Sequence, residues 1–429
     1  MKPLKIGIAG LGTVGAGVVK LLAAHAALIA ARAGRPIIVT AVSARDRTRD
    51  RGVNLEGLNW HEDAVALAHD PQVDVVVELI GGSEGKAKAL AEAAIAVGKP
   101  LVTANKALLA VHGVALARAA EANHVSIAYE AAVAGGIPVI KALREGLAGN
   151  KISRIAGILN GTCNYILTTM REEGRSFAEV LTDAQKLGYA EADPSFDIDG
   201  VDAAHKLAIL AGLAFGARIA FSALHIEGIR HISALDIAFA QELGYSIKLL
   251  GIAQQDEAGI SLRVHPAMVP LSQPIATVDG VFNAVLLEGD FSGPVFLRGR
   301  GAGEGPTASA VVADLIDLAR GIHLPLWGMA EPLLSEARLV PMADLTCAYF
   351  LRLSVVDQPG VLADVTALLR DEGISLESMI QHGRKPGEAV PIVLVTHETT
   401  ESAVTAALAK IAALPAVLES PAIIRIESK

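Results

Sequence analysis

The stretch LKIGIAGLGTVGAGVVKLLAA, residues 4–24, changes period in its middle. Residues 4–9 form a short apolar run of strand type, and from Thr13 onward the apolar residues recur at helical spacing. Between them stands G-x-G-x-x-G: Gly10, Gly12 and Gly15, with Thr13 and Val14 inside the motif. The glycines let the backbone turn tightly and approach a pyrophosphate, which then rests on the helix N-terminus. Taken alone the match is weak and a plain structural turn is the alternative. The strand before it and the helix after it turn it into a dinucleotide-binding signature.

The same alternation continues outward. PIIVTAVS (36–43), VDVVVELIGG (73–82), KPLVTANK (99–106) and VSIAYEAAV (125–133) read as strands, with helical stretches such as GKAKALAEAAIAVG (85–98) between them. Strands alternating with helices imply an α/β, doubly wound parallel sheet, because each parallel crossover needs a helix on the face. This first domain is expected over residues 1–136. The second strand ends in Ser43, not in an acid, and Arg45, Arg47 and Arg49 follow. A guanidinium beside the ribose suits a 2′-phosphate, so NADP(H) is favoured over NAD(H). A solvated basic loop is the alternative. Lys106, at the carboxyl end of a buried-type strand, stands where ligands sit in open α/β sheets, or else is a helix-start lysine in solvent.

From about residue 137 the rhythm changes. A helix (IPVIKALREGLAG, 137–149) is expected, then a strand (SRIAGILNG, 153–161) and strands of a mixed sheet such as SIKLLGIAQ, ISLRVHP and FNAVLLEGDFSGPVFLRGRG. Together they suggest an α+β domain over 137–320, in which a helix within 306–330 packs back on the first domain. Residues 331–347 read as a linker. Residues 348–429 carry a βαββαβ order, the ferredoxin-like pattern, with RKPGE (384–388) as a turn between two strands.

GYAEADPSFDIDGVDAAHK, residues 188–206, gathers Glu191, Asp193, Asp197, Asp199 and Asp202 ahead of Lys206. Asp202 and Lys206 are four apart and share a helix face, as an exposed ion pair would. The apolar run after Lys206 favours burial instead, and a buried lysine beside a carboxylate suits proton transfer. The glycine-rich GRGAGEGPTASA (299–310) opens another helix and either caps the cofactor or hinges two domains.

The composition sets bounds. The 429 residues are 52% hydrophobic and 19% charged, which allows about three domains with large cores. The formal charge of −9 argues against a nucleic-acid partner. Two distant cysteines, Cys163 and Cys347, suggest a reducing compartment, and the absence of a signal-peptide pattern or a long apolar run argues for a cytoplasmic protein with no membrane span.

GLGTVG, TANK, YEAAVAGGIP, GILNGTCNYIL, GYAEADPSFDIDGVDAAHK and GRGAGEGPTASAVVADL together resemble the bacterial homoserine dehydrogenase family with a C-terminal ACT domain, over essentially the whole chain. The resemblance implies a Rossmann-type first domain, a catalytic and dimerisation domain and a regulatory ACT domain. It implies interconversion of L-aspartate 4-semialdehyde and L-homoserine in threonine and methionine biosynthesis. By that likeness Glu191 and Asp197 hold the substrate ammonium, Asp202 orients Lys206, Lys206 is the acid/base, and Lys106 positions substrate and nicotinamide. Thr13, Val14, Arg45, Gly188 and Gly303 line the cofactor. A sodium ion sits near Glu130, on the carbonyls of Val133, Gly135 and Ile137. Asp357 and Gly360 belong to an ACT signature that receives an effector, L-threonine, and the assembly is a homodimer or homotetramer. Cys163 departs from the family's usual Thr or Ser, which raises thiol sensitivity. The rival readings are a non-catalytic amino-acid sensor, for which both lysines would be superfluous, and another NADP-dependent semialdehyde or imine reductase, which the spacing from Glu191 to Lys206 disfavours.

Overall fold

The computed structural model describes residues 2–383 and 386–427. Of the expected turn 384–388, Arg384 and Lys385 lie outside the described residues.

The first sheet has six parallel strands: β1 (Leu4–Ala9), β2 (Ile37–Ser43), β3 (Asn59–His61), β4 (Val75–Glu78), β5 (Leu101–Thr103) and β6 (Ile127–Ala128). Their order is β3-β2-β1-β4-β5-β6. The order reverses between β1 and β4, so a crevice opens above the carboxyl ends of these two strands. The four residues of β4 are all buried, as helices on both faces require. β3 is a short edge strand with no counterpart in the sequence reading. The helix Glu304–Ala319 returns from far along the chain: Val311, Val312 and Leu315 share a core with Ile6, Ile8 and Val18.

The second layer takes in β7 (Ile152–Ile158), the two-residue β8 (Ala217–Arg218) and β9 (His225–Ile226), the long pair β10 (Tyr245–Gln255) and β11 (Ile260–Pro270), and the hairpin β12 (Phe282–Gly289) with β13 (Gly293–Arg300). β14 (Ser335–Glu336) pairs with β8, so the segment expected as a linker is tied to the second domain. The expected helix over 137–149 is short: Val139–Lys141 is α-helical and Ala142–Gly146 widens to a π turn. Two glycines within its last four residues remove helix propensity there.

The C-terminal unit adds β15 (Thr346–Val356), β16 (Leu376–Ile380), β17 (Ala389–Thr396), the short β18 (Thr399–Thr400) and β19 (Ala422–Ile426), with helices Val361–Asp371 and Glu401–Ala412. It is not a free-standing sheet. β19 pairs in parallel with β11, Ala267 opposite Arg425, so one sheet runs β13-β12-β7-β10-β11-β19-β15-β17-β16. Among the described residues no single helix is long and apolar enough to cross a membrane.

Candidate active site

Two cavities flank the start of the first helix, Thr13–Ala24. The outer one, of about 700 Å³, is lined by Gly10, Gly12, Arg45, Arg49 and the turn Leu79–Gly81. The inner one, of about 540 Å³, is lined by Val14, Lys106, Gly135, Asn160, Gly188, Asp197, Asp202, Lys206 and Gly303.

The turn between them is built for a close approach. Gly10 has φ +95°, and a Cβ there would sit 2.5 Å from the Leu79 carbonyl oxygen. A Cβ on Gly15 would lie 2.1 Å from the Gly10 carbonyl oxygen, so helix and strand meet at backbone distance. Gly12 faces open space. No side chain caps the helix N-terminus, which leaves its first N–H groups free for an anion. The helix Glu304–Ala319 likewise begins at Gly303 without a side-chain cap. Glu78, which the sequence reading passed over, orders the neighbouring turn. Its Oε1 accepts from Ile80 N at 2.8 Å and Gly81 N at 3.0 Å, and Oε2 accepts from the Thr103 hydroxyl at 2.6 Å. An acid ending the apolar run VVVE was the available signal.

Lys106 is placed by its neighbours. Asn105 caps its helix through Leu108 N at 3.1 Å and ties back to the Gly82 carbonyl at 2.7 Å. Lys106 Nζ then reaches Asp202 Oδ1 at 3.1 Å. Lys206 Nζ reaches the other oxygen, Oδ2, at 2.7 Å, and donates to the Leu159 carbonyl at 2.7 Å. Lys206 is buried and Lys106 is about a third exposed. Burial alone would raise the Asp202 carboxyl, but the Lys206 and Lys106 ammoniums more than offset it and hold it well below the usual carboxylate range. Asp197 moves the opposite way, raised by burial and by the charge of Asp202.

Asn160 joins the two acids. Its Nδ2 lies 2.8 Å from Asp197 Oδ1 and 2.9 Å from Asp202 Oδ2, while its Oδ1 caps the helix Gly161–Glu173 through Cys163 N. An Asn-Gly step between an apolar strand and a helix signals such a cap, although nothing in the sequence says which acids its amide will meet. Cys163 is fully buried, its thiol pushed well up by burial, and its Sγ donates to the Asp197 carbonyl at 3.2 Å. Such a thiol is inert, against the sensitivity expected of it.

Other expected residues lie elsewhere. Glu191 is exposed and does not line the inner cavity; its carbonyl accepts from Gln185 Nε2 at 3.1 Å. Thr13 opens the helix and is exposed, and Gly15 works through packing. Neither Asp357 nor Gly360 lines these cavities; Gly360, φ +100°, precedes the helix Val361–Asp371. Around Glu130 backbone hydrogen bonds fix the carboxylate and one of the expected carbonyls. Glu130 Oε1 and Oε2 accept from Ile140 N and Lys141 N, and the Ile137 carbonyl accepts from Val139 N at 2.7 Å. Val133 is buried, and Gly135 faces the inner cavity. Among the described residues no group of three or more His, Cys, Asp or Glu side chains is arranged to hold a metal.

Residues 138–316 match the model for homoserine dehydrogenase, residues 10–130 that for the homoserine dehydrogenase NAD-binding domain, and residues 349–415 that for the ACT domain. A homoserine dehydrogenase of Pseudomonas aeruginosa is 46% identical over 434 residues, covering 100% of this chain and 99% of that one. The chain belongs to the homoserine dehydrogenase family.

The crystal structure of a homoserine dehydrogenase from Thiobacillus denitrificans superposes with a TM-score of 0.94 at 48% identity, over 100% of this chain and 99% of that chain. A hyperthermophilic archaeal homoserine dehydrogenase in complex with NADPH superposes with a TM-score of 0.65 at 26% identity, over 75% of this chain and 99% of the other. As a homoserine dehydrogenase family member the chain is an NAD(P)-dependent oxidoreductase acting on a CH–OH group, with an ACT domain at its C-terminal end. A nicotinamide dinucleotide fits the uncapped helix start and the open space over Gly12.

Proposed function

We propose that this protein interconverts L-homoserine and L-aspartate 4-semialdehyde with NADP(H), in the biosynthesis of threonine and methionine. The observation that carries the reading is the Lys106–Asp202–Lys206 array, in which one buried carboxylate holds two ammoniums at the wall of a cavity that also reaches the dinucleotide turn. Nicotinamide, when bound, supplies or takes the hydride. The rest falls to the chain's own side chains. In the reducing direction negative charge develops on the aldehyde oxygen, and an ammonium beside it stabilises that charge and donates the proton. Lys206 is the donor in this reading, held by Asp202 and the Leu159 carbonyl. In the oxidising direction Lys206 takes the hydroxyl proton back. Lys106, more exposed, positions the substrate. Asp197, on the same wall, accepts the substrate ammonium, and Asn160 sets its orientation. No step is assigned to a sodium ion.

NADP(H) is favoured by the loop after β2. Arg45, Asp46 and Arg49 all line the outer cavity; Asp46 Oδ1 accepts from Thr48 N at 2.8 Å and Arg49 N at 3.2 Å, and the two guanidiniums beside it suit a 2′-phosphate. The reading also carries feedback by L-threonine through the ACT domain and a homodimer. The deciding experiment is reduction of NADP+ and of NAD+ by the purified protein with L-homoserine, with and without L-threonine. Homoserine-dependent reduction, faster with NADP+ and slowed by threonine, supports the activity, the cofactor preference and the feedback. Absence of reduction with both cofactors in folded protein refutes the activity, and indifference to threonine removes the feedback.

A further inference from the structure

Of the two lysines on Asp202, Lys106 is held less tightly. Its Nζ stands 3.1 Å from Asp202 Oδ1, whereas Lys206 Nζ stands 2.7 Å from Oδ2 and donates to the Leu159 carbonyl as well. Among the described residues Asp202 is the only carboxylate within ion-pair distance of Lys106, whose side chain is about a third exposed. A lysine rides on a flexible four-carbon stem, and ordering it costs rotamer entropy. One long ion pair, on a carboxylate shared with a second ammonium, is a weak hold for a group that must stay at the cavity wall.

A second hold comes from an aromatic ring. Lys106 Nζ lies 5.7 Å from the centroid of the Phe196 ring, close enough for the ring face to attract the cation. Phe196 does not line the inner cavity, so its ring faces the ammonium and not the space a substrate would fill. The ring is braced from behind. His205, the residue before Lys206, stacks on Phe196 at 5.6 Å with the planes 29° apart, and on Phe221 at 4.2 Å with the planes 10° apart. His205 Nδ1 is buried without a hydrogen-bond partner among the described residues, so two ring faces, and no hydrogen bond at that nitrogen, fix the imidazole. Burial pushes the His205 pKa below its ordinary 6.5, so near neutral pH the middle ring carries no charge to repel Lys106.

The short helix that carries Phe196, Ser195–Ile198, is anchored without the ring. Arg230 Nη2 donates to Ser195 Oγ and to Asp199 Oδ2, each at 3.0 Å, and Ile229 N donates to the Ile198 carbonyl at 2.9 Å. Phe196 itself is 44% exposed, so it adds little burial to the core.

We propose that Phe196 is a positioning residue for Lys106: its ring face, braced by His205 and Phe221, keeps the Lys106 ammonium on Asp202 at the cavity wall. The next residue on the same helix is Asp197, so the hold on Lys106 and the acid assigned to the substrate ammonium are fixed as one unit. The proposal rests on the homoserine reaction for its kinetic readout alone.

The test uses the full chain as wild type, Phe196→Met and Phe196→Tyr. Methionine keeps an apolar side chain of comparable bulk and removes the ring face; tyrosine keeps the face. Acetylation of Lys106 by limiting acetic anhydride is followed by peptide mass spectrometry, with the exposed Lys151 as internal standard. Loss of the ring should speed labelling of Lys106 roughly two- to fivefold in Phe196→Met, and Phe196→Tyr should return it to the wild-type rate. The kcat/KM for homoserine should fall by a similar factor in Phe196→Met, more through KM than through kcat, and recover in Phe196→Tyr. Phe196→Leu, a second ring-free variant, should match Phe196→Met. Wild-type labelling in both ring-free variants, or labelling of Phe196→Tyr as fast as theirs, overturns the proposal. Labelling needs no turnover, which keeps the outcomes apart: faster labelling in ring-free variants of a protein that does not oxidise homoserine refutes the reaction alone, and unchanged labelling in an active one refutes the role of the ring alone.

Discussion

The Asp202 carboxylate lies 2.7 Å from Lys206 Nζ, one helical turn along the same buried helix, and spends its other oxygen on Lys106 at 3.1 Å. A buried carboxylate flanked by two ammoniums is a net cationic wall, suited to an oxygen that gains negative charge. Exposed, the same i,i+4 pair would contribute a few tenths of a kcal/mol.

Lys206→Ala should lose about 10²–10⁴-fold in kcat, the usual range for a general acid/base, while still quenching NADPH fluorescence on binding. Asp202→Asn turns an NH2 donor toward one of the two ammoniums, so it keeps at most one of the lysine contacts and steady-state kcat should fall with it. Wild-type turnover in Lys206→Ala would take Lys206 out of the reaction.

Gly15→Ala adds one carbon 2.1 Å from the Gly10 carbonyl oxygen, where only backbone can give way. Overpacking of this kind costs about 1–3 kcal/mol. The thermal midpoint should fall and dinucleotide affinity should fall with it. Gly12→Ala meets open space and should leave the fold intact while crowding the pyrophosphate. Comparing melting curves with NADPH titrations for the two variants separates packing from ligand contact.

Arg45→Ala should raise the KM for NADP+ by roughly ten- to a hundredfold, in keeping with loss of a charge-assisted hydrogen bond of ~1.5–3 kcal/mol, and leave the KM for NAD+ almost unchanged. Equal effects on both cofactors would make Arg45 a general cleft residue with no role in selecting the 2′-phosphate.

His265, in β11, is fully buried, with Nδ1 2.9 Å from the Pro266 carbonyl. Burial, with Arg425 nearby, pushes its folded-state pKa from 6.5 down to about 3. Between those values the unfolded chain binds the extra proton and the folded chain does not. The stabilisation is therefore complete above pH 6.5 and is lost as pH falls toward 3. Denaturant midpoints measured from pH 6.5 to 5, above the usual carboxylate range, should fall less steeply in His265→Gln than in the wild type. Parallel curves would show that His265 does not contribute.

Some of this was legible along the chain because its causes are local. The change of period at residues 4–24, the glycines of GLGTVG and the Asp202–Lys206 spacing all depend on neighbours within a turn or two, where steric limits and helix geometry act directly. The family resemblance extended that reading to Asp197 and Lys106. It also assigned Glu191 to the substrate ammonium, and in this structure Glu191 is exposed. Tertiary structure alone decided what joins distant segments. Lys106 meets an acid almost a hundred residues away, and the Asn160 amide spans Asp197 and Asp202. β19 leaves its own unit's edge to extend β11, burying Arg263 and Glu427 together. A strand edge accepts any partner whose backbone can align with it, so no residue pattern names that partner in advance. The choice is made by which buried charges and apolar faces the completed fold can satisfy at once.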